Sequence, residues 1–164
     1  MTMRARTIGL AVIAALVAIL GLAMPAAADP PQGTFQTVRN EWTNRCLDSA
    51  PDGRVYTLGC NGTSYQIFET NNDELESHAT GRCIDPNWFG SVFATPCVAI
   101  WPRHFDFQRV GDVPNYDRNY SGVFVLKNIE NRSMCLDSNF QGNVYMATCN
   151  NGAYQRWVIK FTMP

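Results

Sequence analysis

An all-β fold made of three copies of one unit is predicted by three observations. The composition is rich in turn formers and poor in helix formers, six cysteines fall into three equally spaced pairs, and the flanks of those pairs repeat. The chain has 164 residues, of which 16% are charged, with a formal net charge of −1. That balance argues against a nucleic-acid binder, which would carry a basic stripe, and the aromatic content argues against disorder.

The N-terminus sets the compartment. Arg4 and Arg6 precede an uncharged apolar run from Ile8 to Met24, and Pro25-Ala26-Ala27-Ala28 follows. A basic start, an apolar segment and a small-residue exit are the marks of a secretory signal peptide, with cleavage expected before Asp29. The run approaches the length of a membrane span, but the Ala-rich exit favours cleavage, so no membrane span is expected in the mature protein. The mature domain is then residues 29–164, secreted and extracellular, in an oxidising compartment where disulfides persist. Losing Arg4 and Arg6 shifts its formal charge to −3. Five Leu and five Ile stand there against ten Val, fourteen Asn and ten Gly, which favours short strands joined by turns over helices.

Cys46 and Cys60, Cys83 and Cys97, and Cys135 and Cys149 are each fourteen positions apart. Their surroundings recur as Cys46-Leu47-Asp48, Cys83-Ile84-Asp85 and Cys135-Leu136-Asp137. Val55-Tyr56, Val92-Phe93 and Val144-Tyr145 precede the second cysteine of each pair, and Tyr65-Gln66-Ile67-Phe68 and Tyr154-Gln155-Arg156-Trp157 follow it. The middle copy keeps only Phe105 of that last phrase. Six cysteines allow fifteen pairings; the repeat phasing selects Cys46–Cys60, Cys83–Cys97 and Cys135–Cys149. Each bridge closes a loop of about fifteen residues, worth about 3 kcal/mol in the chain-entropy model.

Within the units, the alternation of Val55, Thr57 and Gly59 with Tyr56 and Leu58 predicts a half-buried strand. Phe124–Lys127 and Trp157–Phe161 read as strands too, with turns at Pro51-Asp52-Gly53 and Gln141-Gly142-Asn143. The repeats are expected at about 34–70, 71–110 and 121–161. About fifteen extra residues separate the last two cysteine pairs and are expected as a polar insertion at about 111–122. One unit cannot bury its own apolar face, so the three must share a core. Val55, Val92 and Val144 with Phe68, Phe105 and Trp157 are its expected layer.

Together these phrases resemble the ricin B-type lectins, β-trefoils with a Gln-x-Trp triplet in each lobe. Gln155-Arg156-Trp157 matches the triplet fully, Gln66-Ile67-Phe68 nearly and Arg103-His104-Phe105 poorly. The resemblance covers about Phe35 to Phe161 and implies a β-trefoil with one disulfide per lobe. It also implies a secreted, non-catalytic, carbohydrate-binding protein whose ligand is a glycan or polysaccharide, held in shallow pockets of the first and third lobes. The residues it implies are Asp48, Tyr65 and Gln66 in the first lobe, and Asp137, Tyr154 and Gln155 in the third. The middle lobe offers Asp85 with Pro102 and Arg103, and its pocket is expected to be lost.

The sequence departs from the family where an aromatic stacks on the sugar two residues before the second cysteine: Leu58, Thr95 and Ala147 stand there. Tyr56 and Tyr145, two positions earlier on the same strand face, are the candidate replacements. Tyr56, Phe93 and Tyr145 also admit a purely structural role, covering the adjacent disulfide. The aspartates can equally hold a turn, and Gln66 and Gln155 can equally bond to neighbouring backbone. Trp88-Phe89 and Trp101 are either an exposed patch for a partner or packing of the middle lobe. The rival reading is a protein-binding trefoil, a toxin-delivery subunit or protease inhibitor with decayed sugar pockets. Catalysis is not expected, because neither His78 nor His104 falls in a motif with a nucleophile and every cysteine is paired. No cofactor is expected, and no metal, since no closely spaced cysteine pair is present.

Overall fold

The computed structural model describes residues 35–71, 73–97, 105–116 and 121–162. The expected leader at 1–28 and the residues Trp101, Pro102, Arg103, His104 and Tyr120 lie outside the described residues. The described residues form twelve antiparallel strands: β1 (Phe35–Asn40), β2 (Arg45–Ser49), β3 (Val55–Gly59), β4 (Ile67–Asn71), β5 (Glu74–Ser77), β6 (Arg82–Pro86), β7 (Val92–Pro96), β8 (Phe105–Gly111), β9 (Ser121–Asn128), β10 (Met134–Ser138), β11 (Val144–Thr148) and β12 (Trp157–Thr162). Two short 3₁₀ turns, Ser64–Gln66 and Ala153–Gln155, precede β4 and β12. No helix among the described residues is long and apolar enough to cross a membrane.

Strands β1–β4, β5–β8 and β9–β12 form three lobes of one β-trefoil. Six strands pair in the order β8-β9-β12-β1-β4-β5, and the Phe105 N–H donates to the Asp73 carbonyl at 2.8 Å across the remaining gap. The other six form one hairpin per lobe, β2–β3, β6–β7 and β10–β11, with identical register. In each hairpin the middle residue of the Cys-Leu/Ile-Asp phrase (Leu47, Ile84 or Leu136) faces the core and is fully buried. Phe68, Phe105 and Trp157 join them with Val55, Val92 and Val144, so the expected core layer is present. The Trp157 indole N–H is satisfied by the Leu136 carbonyl at 3.0 Å, which lets so large a polar-tipped ring lie in the core. Cys46–Cys60, Cys83–Cys97 and Cys135–Cys149 are the three disulfides, each with a Cα–Cα separation of 5.0 Å.

Of the residues expected as a polar insertion at 111–122, the first and the last two lie in the paired strands β8 and β9, and 117–120 lie outside the described residues. Gly111 ends β8 and Ser121-Gly122 open β9, so part of the added length extends paired strands. A register shift between Arg109 and Gly111 lets Arg109 fold back over Phe124, its guanidinium 5.6 Å from the ring centroid, and donate to the Ser121 carbonyl at 2.7 Å.

The hairpins meet around the pseudo-threefold axis through their turns. Gly53, Gly90 and Gly142 occupy these turns at φ of 88°, 88° and 92°, a left-handed conformation that side chains resist. Each gives its carbonyl to the next hairpin: Ala94 N–H to Gly53, Met146 N–H to Gly90 and Thr57 N–H to Gly142, all at 2.8 Å. A Cβ on Gly142 would stand 2.5 Å from the Thr57 carbonyl oxygen. Gly142→Ala is therefore expected to cost about 2 kcal/mol or more, read as a lowered midpoint in thermal or denaturant unfolding. Gly59→Ala, where an added Cβ meets nothing within 4 Å, should stay within about 0.5 kcal/mol; equal effects of the two would refute the ring as a constraint.

Candidate functional site

Hairpin register brings the predicted carboxylates and aromatic rings together. Asp48 lies directly opposite Tyr56, Asp85 opposite Phe93 and Asp137 opposite Tyr145, while Leu58, Thr95 and Ala147 lie opposite the first cysteine of each bridge. The aromatic residues thus partner the aspartates, and the small or aliphatic residues partner the first cysteines. All three aspartates are buried, and the tyrosines are half-buried. Burial raises the Tyr145 phenol above its usual range, and the charge and hydrogen bonding of Asp137 raise it further. Tyr56 is raised in the same way, by burial first and then by Asp48. Each pair is a neutral hydroxyl beside a carboxylate, a polar group suited to sugar hydroxyls. Phe93 has no hydroxyl, and in the middle lobe the Thr95 hydroxyl donates to Asp85 at 3.0 Å instead.

Of the two roles open to Gln66 and Gln155, at the pocket or bonded to neighbouring backbone, the structure shows the backbone bonds. Both are buried, and both ends of each amide are used by backbone. Gln66 accepts from the Asn61 N–H at 2.8 Å and donates to the Gly59 carbonyl at 3.2 Å. Gln155 accepts from the Asn150 N–H at 2.9 Å and donates to the Thr148 carbonyl at 3.0 Å. The glutamines clamp the loop after the second cysteine onto the strand before it, which positions the neighbouring Tyr65 and Tyr154.

Those two tyrosines differ in their surroundings. Tyr154 is 38% exposed and sits between two other exposed rings, Trp42 (57%) and Phe140 (55%). Phe140, from the β10–β11 turn, meets it edge-on with centroids 6.0 Å apart, and Trp42, from the β1–β2 turn, meets it at 6.3 Å. Asn40 fixes this junction by donating to the Tyr154 carbonyl at 2.6 Å, and Glu41 forms an ion pair with Arg156. Tyr65 has no ring packed against it among the described residues. Pro51 stands where the third lobe has Phe140, and Ala79 where the first-lobe turn has Trp42.

Sequence reasoning missed Trp42 and Phe140. Phe140 was findable as a departure between repeats, an aromatic five residues after Cys135 where the first repeat has Pro51. Trp42 carried no such signal, because it belongs to the first lobe and serves the third only after β1 pairs with β12. In the middle lobe, Trp88 borders a crevice with Met134 and Met146, and Phe89 is 94% exposed. Glu76 lies near Cys83 and Cys97, but both sulfurs are held in their disulfide.

No family model and no curated protein sequence matches the chain. Solved structures do. A ricin B-like lectin of Macrolepiota procera in complex with lactose superposes with a TM-score of 0.64 at 14% identity, covering 81% of this chain and 99% of that one. The C-half of an earthworm R-type lectin in complex with GalNAc gives 0.59 at 15% identity, covering 79% and 99%. The hemolytic lectin CEL-III gives 0.61 at 26% identity, covering 81% of this chain and 31% of that longer protein. The fold is a β-trefoil, the fold these lectins share.

The carboxylate–phenol pairing predicts the titration of Tyr145. Its phenolate absorbance should rise only above the ordinary tyrosine value of about 10, and Asp137→Asn should bring the midpoint part of the way back, burial keeping the remainder. An unchanged midpoint in that variant would refute the pairing. Because the folded-state value lies above that of the unfolded chain, this contribution to stability is complete below about pH 10 and is lost as pH rises further.

Proposed function

We propose that the protein is a secreted, non-catalytic lectin that binds a galactose-containing glycan, mainly through its third lobe. The observation that carries this reading is the convergence there of Asp137, Tyr145 and the exposed rings of Trp42, Phe140 and Tyr154. Sugar recognition needs an acceptor for hydroxyls and an aromatic face for C–H groups, since hydrogen bonds exchanged with water contribute little alone. The third lobe supplies both despite Ala147, because Phe140 and Trp42 stand in for the missing ring. Lactose and GalNAc in the neighbouring structures support the galactose class.

The first lobe, with Asp48, Tyr56 and Tyr65, is a weaker site because Pro51 and Ala79 replace the flanking rings. The middle lobe does not bind sugar. Two unequal sites on one molecule favour a polymeric ligand through avidity. Three disulfides and the expected leader at residues 1–28 support export. A protein partner is the second reading, favoured by Trp88 and Phe89 standing exposed on the lobe without a sugar pocket. A delivery role within a toxin belongs to that reading.

Calorimetric titration with lactose and a glycan array test the assignment. Asp137→Ala should weaken binding at least tenfold, the scale of one hydrogen bond to a charged group. Phe140→Ala and Tyr145→Ala should weaken it several-fold, and Asp85→Ala should change it less than twofold. Silence of the folded protein across the array refutes the lectin reading and favours the protein partner.

A further inference from the structure

The outer face of β1 and β12, beside the Cys46–Cys60 bridge, carries a feature that the third-lobe site does not use. In the register of these strands Thr37 lies opposite Lys160, and Arg39 lies opposite Val158. The four residues therefore share one face, with Arg39 and Lys160 as diagonal neighbours about 7 Å apart at Cβ. The strands, the disulfide and the Gly62 loop enclose a cleft of about 230 Å³, below the roughly 300–1,000 Å³ of pockets for drug-sized ligands.

We propose that this cleft binds the carboxylate or sulfate group of an acidic saccharide between Arg39 and Lys160, with the ring of Tyr116 beside it.

Both cations are half-buried, and neither is ion-paired with a carboxylate among the described residues. Glu41 is engaged by Arg156 and Asp112 by Arg109. Glu69, the acid nearest by register, lies two strands from Lys160 and two residues along. Arg39 is held in place by a hydrogen bond to the Asn44 side chain, and its other N–H groups remain for a planar oxyanion. Asn44 is itself in the left-handed region at φ 59°. Lys160 Nζ lies 3.9 Å from the centroid of the Tyr116 ring, which is 53% exposed. Lys160, by hydrogen bond and charge, and then Arg39 hold the Tyr116 phenol below its usual range, a mark of positive potential at the cleft.

The choice of ligand follows from this inventory. Two cations match one oxyanion, whereas a nucleic acid would need a longer basic track and a less acidic chain. The apolar floor of Val158 and the disulfide, with the exposed Tyr116 ring, suits the C–H face of a pyranose. The cleft is separate from Asp137 and Tyr145, so the inference does not depend on sugar binding in the third lobe.

NMR and calorimetric titrations of the protein with trigalacturonate, galactose 6-sulfate, neutral galactotriose and inorganic sulfate test it. The acidic saccharides should bind and perturb Lys160 and Tyr116 resonances without moving those of Tyr145, and affinity should fall with added salt. Arg39→Gln and Lys160→Gln should each weaken that binding about tenfold, while leaving lactose binding and the unfolding midpoint unchanged; Lys160→Arg should retain it. Absence of binding by both acidic saccharides, or binding that survives the double substitution, overturns the site. Equal affinity for galactotriose, or inorganic sulfate binding as tightly as the acidic saccharides, overturns the assignment to an acidic sugar. Trigalacturonate alone or galactose 6-sulfate alone identifies which anion the cleft takes.

Discussion

Three backbone hydrogen bonds, each from a strand N–H of one hairpin to the turn glycine of another, hold β2–β3, β6–β7 and β10–β11 around a common axis. The constraint is cyclic, since the first hairpin leans on the third, the second on the first and the third on the second. None can shift without breaking two of the three bonds. At each turn the backbones approach so closely that a Cβ would fall 2.5–3.1 Å from a carbonyl oxygen. Only glycine meets that spacing and the left-handed φ together. With the hairpins fixed, the core-facing Leu47, Ile84 and Leu136 are brought beneath Phe68, Phe105 and Trp157, and the opposite faces of the same strands become the pocket faces.

The disulfides and the glutamine clamps extend this frame outward. Each bridge ties the start of a hairpin to its end. Gln66 and Gln155 then fasten the following loop to the same strand through paired amide bonds to backbone. A buried amide with both ends satisfied adds rigidity without leaving an unpaired polar group. The exposed tyrosine next to each glutamine is thereby presented by a stiff turn. The repeat phrase has two functions, since its glutamine builds the support and its tyrosine meets solvent. The middle lobe keeps the hairpin, the disulfide and Asp85, but has Phe93 where its neighbours have a phenol. Divergence of the three lobes thus proceeds by changes on the outer face while the inner face stays nearly invariant. A shared core tolerates little change in volume, whereas the outer face is free to vary.

Much of the fold was legible because repetition multiplies weak signals. One Cys-Leu-Asp phrase or one Val-Tyr pair predicts little, but three copies at equal spacing predict strand, turn, disulfide and core together. The aspartates and the aromatic residues opposite them were legible for the same reason, as period-2 positions on a strand paired within one hairpin. The role of the glutamines stayed open between pocket and backbone because spacing along the chain locates a residue on a loop without telling which way its side chain turns. Burial decided that, since an unsatisfied backbone N–H at Asn61 or Asn150 draws the amide inward.

By itself, then, the sequence determined the local units: all-β strands, three intra-repeat disulfides and the recurring Asp and aromatic positions of each repeat. Each of these rests on contacts within about fifteen residues, where spacing and side-chain alternation carry the geometry. Tertiary structure alone decided what crosses between lobes. Pairing of β1 with β12 carries Trp42 from the first lobe to Tyr154 and Phe140 of the third. The same ladder sets Arg39 and Lys160, 121 positions apart in the chain, on one face beside a disulfide. Such neighbours share no motif and no period, because they are joined by barrel closure and not by the chain between them.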